Sequence, residues 1–185
     1  MHSSSFLMNT TLIVASLLLA SVPAPADAEP GEPKQSLKYH DGEPDGKKSL
    51  GGTGMMIKFT LPAKNTKIAG LRIHGSRYGL PQPPQEEFLI YFLSEDREEI
   101  VRTEMAPYSL FERGDQQWVQ VKFEKPIAVP QTVCVVLNFR AHRTKGVFVS
   151  YDTSTDGQHS RVGLPGMKTG PVKTGGDWMV EILPK

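Results

Sequence analysis

From Met56 onward the chain alternates short apolar stretches with turn-rich gaps. In "MIKFTL", Ile57, Phe59 and Leu61 fall on one face, and Met56, Lys58 and Thr60 on the other. "GLRIH" sets Leu71 and Ile73 against Arg72 and His74, and "WVQVKF" sets Val119, Val121 and Phe123 against Trp118, Gln120 and Lys122. "WMVEI" opposes Trp178, Val180 and Ile182 to Met179 and Glu181. A period of two predicts strands with one buried and one wet face. "FLIYFL" (88–93), "VCVVLNF" (133–139) and "VFVSY" (147–151) are more continuously apolar and predict central strands covered on both sides. No stretch of about eleven residues after position 28 carries a helical stripe. Pro and Gly punctuate the gaps, as in "LPQPPQEE", "KPIAVPQ" and "KTGGD". About eight or nine short strands at this spacing predict a single all-β domain, an antiparallel β-sandwich or jelly roll.

The first residues read differently. An apolar run from Leu12 to Ala20 is followed by "VPAPADA", ending in the small-x-small pattern Ala26-Asp27-Ala28. Residues 1–28 are therefore expected to be a signal peptide, although no Lys or Arg precedes the apolar run. The run is well short of the ~20 residues that cross a bilayer, so no membrane span is expected. A lipid-anchored leader needs a Cys at the cut, and none is there. Residues 29–36, "EPGEPKQS", are expected to form a flexible leader, and 37–185 the folded domain. The expected location is secreted or periplasmic.

Charge excludes one class of partner. All 21 Lys and Arg, and every acid but Asp27, lie after residue 28, for a formal net charge of +1 over the whole chain. Without a basic patch, neither nucleic acid nor an anionic membrane is an expected partner. The single cysteine, Cys134, cannot build an internal disulfide framework, and its apolar setting predicts a buried thiol.

Candidate chemistry is sparse. No G-x-S-x-G, H-E-x-x-H, phosphate-cradling G-x-x-x-x-G-K or paired zinc cysteines occur. His40, His74, His142 and His159 are scattered and read as surface or strand-end residues. "DGQHS" brings Asp156, His159 and Ser160 close in sequence, but a triad needs the base held between acid and nucleophile in space. No catalytic role is expected.

Two patterns stay open. In "YHDGEPDGKKS" (39–49), Asp41 and Asp45 either ring a calcium ion together with turn carbonyls or cap two tight turns. Three segments, "HGSRYGLPQPP" (74–84), "PYSLFERG" (107–114) and "RTKGVFVSYD" (143–152), each join an Arg to an aromatic ring beside Gly. Either the arginines lock irregular loops onto backbone carbonyls, or the loops gather at one end of the sandwich. In the second case Arg77, Tyr78, Tyr108, Arg113 and Arg143 line a shallow cleft for a glycan or an extended peptide. Phe111 is expected to anchor its loop to the core, with Arg113 as polar clamp and Tyr108 reachable by a ligand.

The run from "LKYHDGEPDGKKSLGGTGMMIKFTLP" through "SRYG" and "PYSLFERGDQQWVQVKF" to "GGDWMVEI" resembles poorly characterised jelly-roll modules of secreted bacterial proteins. It is similar, more loosely, to galactose-binding-like accessory domains, and that likeness implies calcium near a sheet edge. The expected function is an exported, non-catalytic module that binds a carbohydrate or a protein at the cell envelope or outside the cell. The alternative is a structural, self-associating envelope protein, with an unrecognised enzyme third; oligomeric state is left open.

Overall fold

The computed structural model describes residues 35–185. The expected signal peptide, and all of the leader but its last two residues, lie outside them. Two six-stranded antiparallel sheets make a β-sandwich. The first contains β1 (Gly46–Lys48), β3 (Lys67–Gly79), β6 (Gln117–Ala128), β8 (Lys145–Asp152), β11 (Asp177–Trp178) and β12 (Val180–Pro184). The second runs β10 (Gly170–Pro171), β9 (Ser160–Val162), β2 (Met55–Thr60), β7 (Thr132–Asn138), β4 (Glu87–Leu93), β5 (Ile100–Pro107). A short 3-10 turn covers Tyr108–Leu110.

The core lies between the sheets, where the alternation placed it. Ile57, Phe59, Phe88, Ile90, Phe92, Val133, Val135 and Leu137 of the second sheet meet residues of the first in one buried cluster. Leu71, Ile73, Val119, Val121, Val147, Val149, Val180 and Ile182 are the first sheet's share. Each such side chain contributes about 1.5–3 kcal/mol when taken out of water. β7 is apolar throughout because its other face is also covered. There Cys134 and Val136 pack with Met56 and Leu93 under Tyr91 and Leu164. Burial pushes the Cys134 thiol up from its ordinary value, so it is an inert small hydrophobe.

Three features depart from expectation. β5 was not foreseen, because only Ala106 in it is buried and no apolar face marks it. β3 and β8 extend into segments read as loops, pairing Arg77 with Val147 and Tyr78 with Gly146. The final strand is split. β11 runs antiparallel to β8 and β12 antiparallel to β3, while β3 and β8 are themselves antiparallel, so the chain changes direction at Met179. The Met179 N–H donates to Ser150 O and its carbonyl accepts from His74 N–H, wedging the reversal between the two strands.

Candidate functional site

The three Arg-aromatic segments do meet at one end of the sandwich. Arg77 N–H donates to Glu112 O, and a backbone bridge joins Arg77 to Arg113. Leu80 N–H donates to Thr144 O. Gly79, at φ +96°, brings its Cα against the Thr144 carbonyl, a position that any Cβ would occupy only by collision.

Within this end the five candidate residues divide. The Arg77 guanidinium donates to Leu80 O at 2.8 Å and Pro81 O at 2.6 Å and is buried, holding the turn that follows β3. The Tyr78 ring lies tilted against Phe148 at 4.7 Å, and its hydroxyl meets Ser49 Oγ and the His142 carbonyl. Tyr108 is fully buried, with its hydroxyl donating to Phe139 O and its ring edge-on to Phe88. The expectation that a ligand reaches Tyr108 is therefore corrected: the 3-10 turn folds the ring inward, where burial pushes the phenol up to about 12. Phe111 is the expected anchor, packing edge-on against Phe88 and Phe139. Arg113 and Arg143 are exposed. No hydrogen bond or ion pair holds their guanidinium groups among the described residues, so the clamp assigned to Arg113 is made by its backbone instead.

Beside this frame lies a recess of about 430 Å³. Its walls are the segment Gln82–Glu87 and, across from it, Pro107 and Ser109. Lys145 Nζ, 5.6 Å from the Tyr108 ring centre, bonds Glu86 at 2.7 Å, and Arg140 Nη2 lies 3.4 Å from the same carboxylate. The Lys145 hydrogen bond holds Glu86 below its ordinary value, so that rim is a fixed anion with two cations behind it. Sequence reading missed this wall, because Pro and Gln carry no chemical motif.

The Asp41 and Asp45 carboxylates both serve the backbone. Asp41 Oδ1 accepts from Glu43 N–H at 2.8 Å, and Asp45 Oδ2 accepts from Thr153 N–H and Oγ–H, each at 2.6 Å. Asp152 Oδ2 accepts from Asp41 N–H at 2.7 Å. Among the described residues, no three His, Cys, Asp or Glu side chains gather as a metal cage. Asp177, opposite Asp152 in the β11–β8 register, is fully buried, and neither carboxylate oxygen has a hydrogen-bond partner.

A second polar cluster occupies the outer face of the first sheet. Arg72, His74, Trp118 and Glu181 fall on one face as the alternation requires, but the burial of Glu181 and the partial cover of the other three were not legible. Arg72 Nη1 bonds Glu181 Oε2 at 2.9 Å, and its guanidinium sits 4.7 Å from the Trp118 ring. His40 stacks on Trp118 at 5.2 Å, with Nε2 3.5 Å from Glu181 Oε1. His40 is thus buried rather than at the surface. His74 Nδ1 meets Ser150 Oγ at 2.9 Å, but that oxygen is buried and offers no face to a substrate. Burial lowers both histidines, against the pull of Glu181 in the case of His40. The cluster fastens the segment before β1 to the sheet.

The remaining candidate triad is used in packing. Ser160 Oγ accepts from Trp178 N–H at 2.9 Å, and His159 stacks on Tyr39 at 3.6 Å.

No model of a known protein family matches the chain, and no curated protein matches it. Among solved structures it is similar to the cysteine protease and lectin-like domains of Cwp84, a surface layer associated protein of Clostridium difficile. The TM-score is 0.48 and the identity 13%, over 74% of this chain and 32% of that one. The chain thus spans about a third of that protein's resolved length.

Proposed function

We propose that the protein is an exported, non-catalytic module that binds a carbohydrate or an extended protein segment at the cell envelope or outside the cell. The observation that carries this reading is the locked end of the sandwich. Three segments far apart in sequence hold one another through backbone hydrogen bonds, two of them carry unpaired arginines, and residues 82–87 with Pro107 and Ser109 line a recess at this end. A rigid frame reduces the ordering cost of binding. Gln82, Gln85, Glu86 and Ser109 supply donors and acceptors of the kind that read hydroxyls or a peptide backbone. Glycan arrays and pull-downs with envelope polysaccharides and envelope proteins test it. Retention by one class, weakened in Arg113→Ala, Arg143→Ala or Gln85→Ala, is the expected result. Retention by nothing, or by every variant equally, ends the reading.

One observation favours self-association as a second reading. β5 is an edge strand, and Met105 and Ile100 on it are 60% and 47% exposed. Such an edge can pair with another copy. Sizing across a hundredfold range of concentration decides it: a concentration-dependent dimer that Met105→Lys disperses supports pairing, and a strict monomer removes it.

Calcium is proposed on Asp177. A buried carboxylate without a partner is costly unless it meets a cation, and Asp41, Asp45 and Asp152 lie on the adjoining segments. Calcium is expected to raise the melting temperature in the parent protein and not in Asp177→Asn. No rise at millimolar calcium removes the ion from the account.

A further inference from the structure

A recess of about 520 Å³ combines an apolar floor with charge and shares no lining residue with the recess beside the Arg-aromatic end. It opens where β1 of the first sheet faces β9 and β10 of the second. Leu50, Val162, Val172 and the fully buried Trp178 form its floor. The indole N–H is already given to Arg161 O at 3.3 Å, so Trp178 offers the cavity only apolar surface.

Lys48, Lys168 and Lys173 stand around this floor, all three exposed. No acidic side chain lines the cavity, and none of the three lysines enters an ion pair among the described residues. The placement follows from two turns. One is closed by Met167 N–H on Leu164 O and sets Lys168 just before β10; the other is closed by Gly175 N–H on Val172 O and sets Lys173 just after it. Lys48 arrives from the facing strand. Three like charges converging on one apolar opening repel one another, and a bound anion relieves that repulsion. A volume of this size lies within the roughly 300–1,000 Å³ of small-molecule sites, and a recessed apolar floor between two sheets suits a chain or ring better than a flat macromolecular face.

We propose that this cavity binds a small anionic amphiphile. The apolar body of the ligand lies on Leu50, Val162, Val172 and Trp178, and its carboxylate or phosphate head lies among Lys48, Lys168 and Lys173. The site goes beyond the recess at the Arg-aromatic end and stands or falls separately from it.

The test uses decanoate below its micelle concentration, followed by calorimetry and tryptophan fluorescence on the purified protein. One saturable site is expected, weakening as salt is raised. The double variant Lys168→Glu/Lys173→Glu should bind about tenfold more weakly or worse, with an unchanged melting curve. Val172→Arg, which fills the floor, should abolish binding, and its own melting curve reports whether it folds. Decan-1-ol and decyltrimethylammonium, sharing the chain without the negative head, should bind much less tightly. Equal affinity for decan-1-ol, or decanoate binding indifferent to both lysines, overturns the proposal. So does co-sedimentation with phosphatidylglycerol vesicles in the absence of any decanoate binding, which would assign the lysines to a membrane surface.

Discussion

Tyr108 shows how one side chain can decide the character of a whole end of the molecule. Its hydroxyl satisfies the Phe139 carbonyl in the core, so Tyr108→Phe leaves a buried acceptor unpaired. Urea titration should register a loss of about 1–3 kcal/mol. The same residue sets part of the alkaline limit. Its pKa is raised by burial from 10.0 to about 12, so the unfolded chain ionises first as pH rises. The stability it contributes is complete below about pH 10 and lost towards pH 12, and the Phe variant should lack that part of the alkaline decline. His40 acts at the other limit. Its pKa is depressed by burial, so the unfolded state takes up a proton first, and stability fully present above pH 6.5 is lost as pH falls from there through the lowered folded-state value. Glu181, Asp152 and Asp41 oppose this depression and Lys38 adds to it. His40→Phe keeps a ring on Trp118 and should flatten the acid limb below pH 6.5. An unchanged limb would show that His40 is not held neutral in the folded protein.

At the scale of elements, the period-two pattern identified the strand faces because successive strand residues must point to opposite sides. Leu71, Ile73, Val119 and Val121 went inward on that ground alone. What it lacked was pairing. Arg72 and Glu181 are 109 positions apart, and only the β3–β12 register makes them neighbours. "HGSRYG" read as a loop because its glycines and polar residues obscure a strand. Its conformation is set instead by "KGVFV" of β8 alongside it. One glycine in each of these two segments is required by that proximity: a Cβ on Gly146 would strike the Tyr78 ring, and one on Gly79 the Thr144 carbonyl. Gly79→Ala, at φ +96°, should cost at least about 2 kcal/mol. Measured by urea midpoint, a neutral result would mean that β3 and β8 do not end in this close crossing. The candidate site was legible as a gathering of three segments, and not as a division between buried and exposed residues. Exposure depends on which way a turn folds, and the 3-10 turn at Tyr108 has no cap or charge that declares it.

As a whole molecule, the protein holds two sheets together with a free, buried thiol and without a disulfide among the described residues. Cohesion comes from one continuous interior, and the polar clusters sit on its outside or at its ends. The first sheet is completed from widely separated parts of the chain. Leu37 bridges to Ile182, while residues 177–182 join β8 to β3 through the reversal at Met179. Beyond the stretch where β3 and β8 pair directly, residues 177–182 are what each strand pairs with, and they bring Trp178 into the interior. Losing this one short segment therefore strips a backbone partner from two strands at once, so the sheet's integrity depends on it out of proportion to its length.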